Sequence, residues 1–359
     1  MKNNSLHNRT KANSDGNSAP ILVVPYVWIG DFVRCHTTVR VLNERFPNAP
    51  VDVLATAVIA PLVDYMPGVR KAVVVDLPRS RLALGLQGTL ARRLRDEGYG
   101  QSLVIPRTWK SALAPFMAGI PVRTGFFGEV RFGLLNDIRW GERKLPRMVD
   151  RCAMLALPPG ESLRAEWPAP LLVVPDGEVA AWRQRNDAGE PGRPTVAFAP
   201  GAVGPAKRWP AAAFAELAGR LAADGVRVWI LGGPGEKELA SEIAGPDPAN
   251  ARDLTGSELR NAVRALAAAD VAVTNDSGLL HVAAAIGTPA VGIYGPTSPG
   301  PWAPLNPVAA TIEIETGLPC RACMKPVCPL GHHRCMRDIS VDRVLAAVRG
   351  ALTAARPAV

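Results

Sequence analysis

The stretch VTNDSGLLHVAAAIGTPAVGIYGPTSP, residues 273–299, decides how the rest of the chain is read. The apolar run DVAVTN (270–275) ends at Asn275-Asp276. Ser277 and Gly278 open an alanine-rich helical segment, and a second apolar run, PAVGIYG (289–295), follows. Strand, helix and strand at this spacing form a βαβ unit, which sets the two strands parallel. Free amides at a helix N-terminus, with Gly278 permitting close approach, suit a diphosphate. Asp276 and His281 admit two readings at this point: a helix cap and a polar residue packed on the helix, or members of an anion-handling site.

The same alternation extends in both directions. Upstream, strands are expected at 21–26, 50–56, 71–77 and 102–106, with helices over 31–46, 58–65, 88–97 and 109–118. After QRNDAGEPGRP (184–194), a linker by composition, the pattern restarts: strand 195–200, a helix opened by Pro210, strand 226–233, and helices near 236–244 and 257–269. A last helix over 341–354, capped by Ser340, carries an apolar stripe of Val341, Val344, Leu345, Val348 and Leu352. With 359 residues the chain is long enough for two domains. The reading is an α/β protein of two doubly wound parallel sheets facing one another, with ligands outside the carboxyl ends of the strands. The boundaries expected are a disordered tail over 1–19, a first domain over 20–183, the linker, a second domain over 195–338, and a helix and tail over 339–359.

Two further segments lie at such strand ends. APGAVGPAKRWP (199–210) offers a glycine-containing turn followed by Lys207 and Arg208, and Lys207 is placed to neutralise charge on a departing phosphate. In VVPYVWIGDFVR (23–34), Asp31 falls where a strand gives way to a helix, either as a helix cap or as a catalytic base. The net charge of +9 is concentrated in the first half: residues 1–180 hold 23 Lys/Arg against 16 Asp/Glu, whereas 181–359 hold 18 against 16. Arg107, Lys110 and Arg123 lie in that half and suit a polyanionic ligand. No basic stripe interleaved with aromatics supports nucleic acid as that ligand. The first nineteen residues lack the apolar core of a signal peptide, and no apolar run reaches membrane-spanning length, so a cytosolic protein is expected.

Together, WIGD, SALAPFMAGIPVRTGFFGEVRFGLLND, PGAVGPAKRWP and TNDSGLLHVAAAIGTPAVGIYGPTSP resemble the ADP-heptose:lipopolysaccharide heptosyltransferases of glycosyltransferase family 9, and the 111–137 segment resembles the type II branch. The resemblance covers roughly residues 20–350. It implies a GT-B fold of two facing Rossmann-like domains, with the acceptor mainly on the first and ADP-heptose mainly on the second. It implies transfer of heptose to the inner core of lipopolysaccharide with inversion, without a required metal cofactor. By the same resemblance Asp31 is the general base and Lys207 the cation on the donor diphosphate. Asp276, Ser277, Gly278, Leu279 and His281 surround the donor, Glu236 holds ribose hydroxyls (in a register uncertain against Glu238), and Ser257 lines the adenine pocket. The partners implied are ADP-heptose and a lipid A-linked Kdo/heptose acceptor, met by an enzyme in peripheral contact with the inner face of the inner membrane. The alternatives are another acceptor (the first or third core heptose, or a protein) and a non-catalytic nucleotide-binding module.

Four of the six cysteines fall in CRACMKPVCPLGHHRC: Cys320, Cys323, Cys328 and Cys335. Their spacing can supply thiolate ligands to a structural zinc or iron, and cytosolic chemistry disfavours disulfides. Cys35 and Cys152 read as small buried residues.

Overall fold

The computed structural model describes residues 19–78, 81–186, 192–245, 251–256, 258–306 and 311–355. Most of the expected tail (1–18), part of the expected linker (187–191) and Ser257 lie outside the described residues. The chain forms two compact units, Met1–Pro170 and Leu171–Val359.

The first unit is built on strands β1 (Ile21–Val24), β2 (Val51–Ala55), β3 (Lys71–Val74), β4 (Gln101–Val104), β5 (Val122–Phe126) and β6 (Asp137–Arg139). Their order is β3-β2-β1-β4-β5-β6, with every pair parallel. The chain winds outward from β1 and then returns to lay β4 on its other side. The β1/β4 junction is therefore the switch point where such a sheet opens a crevice. β1 is buried along its whole length, as a strand covered on both faces must be. Helices α1 (Ile29–Arg45), α2 (Leu84–Asp96), α3 (Trp109–Met117) and α4 (Met148–Met154) belong to this unit. α1 packs on α4, where the buried thiols of Cys35 and Cys152 lie 3.7 Å apart and Thr38 Oγ1 donates to the Cys152 carbonyl at 2.9 Å. The expected helix at 58–65 is a 3-10 segment, Ala60–Tyr65, with Pro61 in its first turn.

His36, on α1, is buried, and its Nε2 lies 2.9 Å from the Pro67 carbonyl. Burial lowers its pKa from 6.5 to about 4. The folded chain therefore keeps this imidazole neutral while the unfolded chain protonates it below pH 6.5. The resulting stability is complete above pH 6.5 and is lost as pH falls toward 4, by about 3 kcal/mol in all. In urea titrations, the advantage of wild type over His36→Gln is expected to narrow between pH 7 and 4.5, because the variant has no imidazole to charge. A pH-independent difference would place the titrating group elsewhere.

The second unit repeats the plan with β7 (Thr195–Ala199), β8 (Arg227–Ile230), β9 (Arg252–Asp253), β10 (Val271–Asn275), β11 (Ala290–Tyr294) and β12 (Thr311–Glu315) in the order β12-β11-β10-β7-β8-β9, again all parallel. Its switch point is β7/β10. Helices α5 (Asp176–Asn186), α6 (Ala211–Ala223), α7 (Lys237–Ala244), α8 (Leu259–Ala268), α9 (Gly278–Ile286) and α10 (Val341–Ala355) complete it. The expected stripe of α10 is buried in the core of this unit, with Leu352 packed against its margin.

The division between the units falls at Pro170/Leu171, upstream of the 184–194 stretch expected from composition. Side-chain contacts on α5 explain the difference. Trp182 donates from Nε1 to Asn261 Oδ1 at 2.7 Å and sits edge-on to Trp229 of β8, with ring centroids 4.7 Å apart. Glu178 pairs with Arg264 of α8 at 2.7 Å. A helix anchored in this way belongs to the second unit, although it precedes that unit's first strand.

Candidate active site

In the second unit the chemistry gathers where β7 and β10 end side by side. β7 runs into the turn that carries Lys207, and β10 ends at Asn275 with Asp276 immediately after it. Lys207 Nζ donates to Asp276 Oδ2 at 2.7 Å, with the Asp276 carboxylate nearly enclosed. Asn275 holds this arrangement together. Its fully buried amide receives the Trp209 main-chain N–H at 3.1 Å and donates to the Pro200 carbonyl at 2.7 Å, tying both ends of the Lys207 turn to β10. An amide as the last residue of an otherwise apolar strand is a visible signal, but sequence reading gave Asn275 no role.

Immediately beyond Asp276, Ser277 is the extended N-cap of α9 and makes no side-chain cap bond. The first-turn amides, those of Gly278 and Leu279 among them, point from the carboxyl end of the sheet, as an anion site at a helix start requires. His281 is buried on the same helix.

Glu236 closes the turn Pro234–Glu236 in the segment that follows β8, its Oε2 accepting the Gly233 N–H at 2.7 Å. A Cβ at Gly232 would come within 2.9 Å of Glu236 Cβ, and one at Gly201 within 2.8 Å of its Oε1, so glycine at both positions leaves room for this side chain where it stands. Glu238 lies on the exposed first turn of α7. Of the two acids between which sequence left the register open, Glu236 is the one at the strand ends.

The cysteine-rich segment supports this site through its main chain. The Pro326 carbonyl accepts the Ala206 N–H at 3.1 Å, and Gly204, with φ +91°, passes so close that a Cβ there would meet that oxygen at 3.0 Å. Arg321 donates to the Gly295, Thr297 and Thr316 carbonyls at 2.7, 2.8 and 2.6 Å, fixing the loop after β11. The metal site expected from Cys320, Cys323, Cys328 and Cys335 does not take shape: among the described residues no group of three or more His, Cys, Asp or Glu is arranged to hold an ion. Cys335 is buried in the core beside Met336 and Ile339, whereas the other three thiols are half-buried along the preceding loop. Burial raises the Cys335 pKa and the other three thiols add to it, so the four share a neighbourhood without forming a coordination shell.

In the first unit the corresponding position follows β1. α1 begins at Ile29 with Trp28 as N-cap, so Asp31 is the third helical residue and not the cap. Its carboxylate forms an ion pair with Arg34, one turn on, a partner that sequence reading did not identify. At the other side of the switch point, β4 leads to Arg107, whose Nε lies 3.0 Å from Glu142 Oε2, and to Lys110 in the first turn of α3. Arg123 is a correction. It lies near the amino end of β5, away from the ligand end of the sheet, where its Nε donates to the Leu134 carbonyl at 2.7 Å and its guanidinium stacks over Phe116. The main chain and a ring already use that cation.

The family model for glycosyltransferase family 9 (heptosyltransferase) matches residues 88–333. Lipopolysaccharide heptosyltransferase 2 of Escherichia coli K12 is 40% identical over 338 residues, covering 90% of this chain and 96% of that protein. Lipooligosaccharide heptosyltransferase 2 of Haemophilus influenzae is 35% identical over 341 residues, covering 90% and 97%. The solved structure of E. coli ADP-heptose LPS heptosyltransferase II matches with a TM-score of 0.82 at 36% identity, covering 93% of this chain and 99% of that one. E. coli heptosyltransferase WaaC with ADP shares the fold at a TM-score of 0.69 and 19% identity, covering 92% and 99%. The two parallel-sheet α/β domains are thus those of the GT-B class expected from sequence. The chain belongs to glycosyltransferase family 9, the heptosyltransferases.

Proposed function

We propose that this enzyme transfers heptose from ADP-heptose to the inner core of lipopolysaccharide, adding the second heptose, with inversion at the anomeric carbon. The observation that carries the reading is the Lys207–Asp276 pair at the β7/β10 switch point, beside an uncapped helix start, in a chain that aligns over nearly the full length of type 2 relatives. The acceptor hydroxyl oxygen attacks the anomeric carbon while Asp31 takes its proton. The bond from that carbon to the β-phosphate oxygen breaks, and ADP leaves. Charge growing on the diphosphate meets Lys207 and the first-turn amides of α9, so the transfer needs no divalent ion. Glu236 holds the ribose hydroxyls, and Arg107 and Lys110 meet anionic groups of the acceptor.

No helix among the described residues is long and apolar enough to cross a membrane. In this reading the enzyme works in the cytoplasm, at the inner face of the inner membrane. The test is turnover with ADP-heptose and two core acceptors, one already carrying a single heptose and one carrying none, in chelator-treated buffer. ADP release is expected with the mono-heptosylated acceptor. Faster release with the bare core would reassign the enzyme to the first heptose, and dependence on added metal would remove the proposed role of Lys207.

A further inference from the structure

The first unit exposes an apolar cluster that none of the chemistry above uses. Phe127 follows β5 and Trp140 follows β6, and their rings stack with centroids 4.4 Å apart and planes 17° apart. Phe132 leans on Phe127 at 5.6 Å. All three are exposed, and Val130, at the tip of the intervening loop, is 82% exposed. Exposed apolar side chains scattered singly need no explanation, but three rings in contact, with a fourth exposed apolar side chain on the same loop, do.

The patch stands on a rigid base. Arg131, 2% exposed, donates from Nη1 to the Pro106 carbonyl at 2.6 Å and from Nη2 to the Phe126 carbonyl, fastening the loop from beneath. Glu129 accepts the Trp109 main-chain N–H at 2.9 Å, and the Phe127 N–H donates to the Arg139 carbonyl at 2.7 Å. Arg143 and Lys144, in the short turn Glu142–Lys144 that follows Trp140 in the chain, are both exposed. The nearby carboxylates are engaged, Glu142 with Arg107 and Glu129 with the start of α3.

We infer that this patch docks the enzyme on an anionic bilayer, with Val130, Phe132 and Trp140 entering the headgroup–acyl boundary and Arg143 and Lys144 meeting lipid phosphates. The inference rests on the proposed function for a membrane-borne acceptor. Apolar and aromatic tips flanked by cations are the composition of an interfacial anchor. A sugar platform fits less well: Phe127 and Trp140 cover one face of each other, and the most exposed member, Val130, offers no ring. The patch lies at the carboxyl end of the first sheet, the same end as Asp31, Arg107 and Lys110. Docking there presents the acceptor-side residues to the surface that holds the acceptor.

The test is sedimentation of the full chain with vesicles of phosphatidylglycerol and phosphatidylethanolamine, and with vesicles of phosphatidylcholine alone. Wild type is expected to bind the anionic vesicles, less so as salt rises, and to bind phosphatidylcholine poorly. Val130→Asn/Phe132→Asn and Arg143→Glu/Lys144→Glu should each weaken vesicle binding at least about tenfold. Both variants should turn over a delipidated, water-soluble acceptor at the wild-type rate while losing activity on the acceptor in vesicles. Wild type failing to bind anionic vesicles would overturn the inference. So would loss of activity by Val130→Asn/Phe132→Asn on the soluble acceptor with its melting temperature unchanged, which would make the patch an acceptor subsite. Vesicle binding as expected, with no turnover of either acceptor by wild type, would support the docking surface and count against the proposed function instead.

Discussion

Asp31→Asn is expected to lower kcat by at least about a hundredfold while leaving the melting temperature and ADP affinity near wild type. The structure removes the simplest competing explanation of this residue. Trp28 is the N-cap of α1 and Asp31 lies three residues into the helix, so the carboxylate is not the N-cap group, and an amide oxygen in its place can still accept hydrogen bonds. What changes includes the ion pair with Arg34, whose side chain is 9% exposed against 23% for Asp31, and the favourable position of a negative charge in a first helical turn. The asparagine carbonyl can still accept from the guanidinium. General-base assistance, by contrast, contributes ~10²–10⁴-fold, or roughly 3–6 kcal/mol of barrier, and an amide cannot take the proton. ADP binding should hold because the proposed nucleotide contacts lie in the second unit. Near-normal kcat in a folded variant would move the base elsewhere.

The parts of the fold that could be read in the sequence were those whose burial is written locally. β1, β7, β10 and β11 are continuous apolar runs because both faces are covered, and each ends in a turn whose chemistry is visible. β5 and β6 carry no such mark. VRTGF and DIR are short and carry arginine, threonine and glycine, so no alternation marks them. The position of Arg123 near the amino end of β5 is therefore invisible in the sequence, because the ends of an unmarked strand cannot be told apart. The domain boundary failed for a similar reason: α5 buries little besides Trp182, and its allegiance is set by Asn261 and Trp229, far along the chain. At the candidate site, Asp276 could be placed from sequence because it directly follows β10, and Asp31, Lys207 and Glu236 because each lies in the segment that leads from a strand into the next helix. Asn275, Arg131 and Arg321 could not, because their side chains act mainly on main-chain groups of other segments. A sequence shows the donor but not the carbonyl it will satisfy.

Lys207→Met should weaken ADP binding and lower kcat by ~10²–10³-fold, roughly 3–4 kcal/mol, if this cation stabilises the diphosphate more strongly as it departs. The substitution also disturbs the folded protein. Asp276 is 7% exposed on its side chain and loses its partner at 2.7 Å. Breaking a fully buried pair costs about 3–5 kcal/mol, and the cost here is smaller because the Lys207 side chain remains 29% exposed and water can reach the gap. A lower melting temperature in Lys207→Met therefore says nothing by itself about catalysis. Lys207→Met/Asp276→Asn separates the two effects, since it removes the stranded charge together with its partner. The double variant is expected to recover most of the melting temperature and none of the turnover, with ADP still bound weakly in calorimetry. Lys207→Arg, which keeps the charge and can still reach Asp276, should lose far less than Lys207→Met. If the double variant regained turnover along with stability, the pair would be a brace between β7 and β10, and the cation that meets the leaving diphosphate would have to be sought elsewhere at the strand ends.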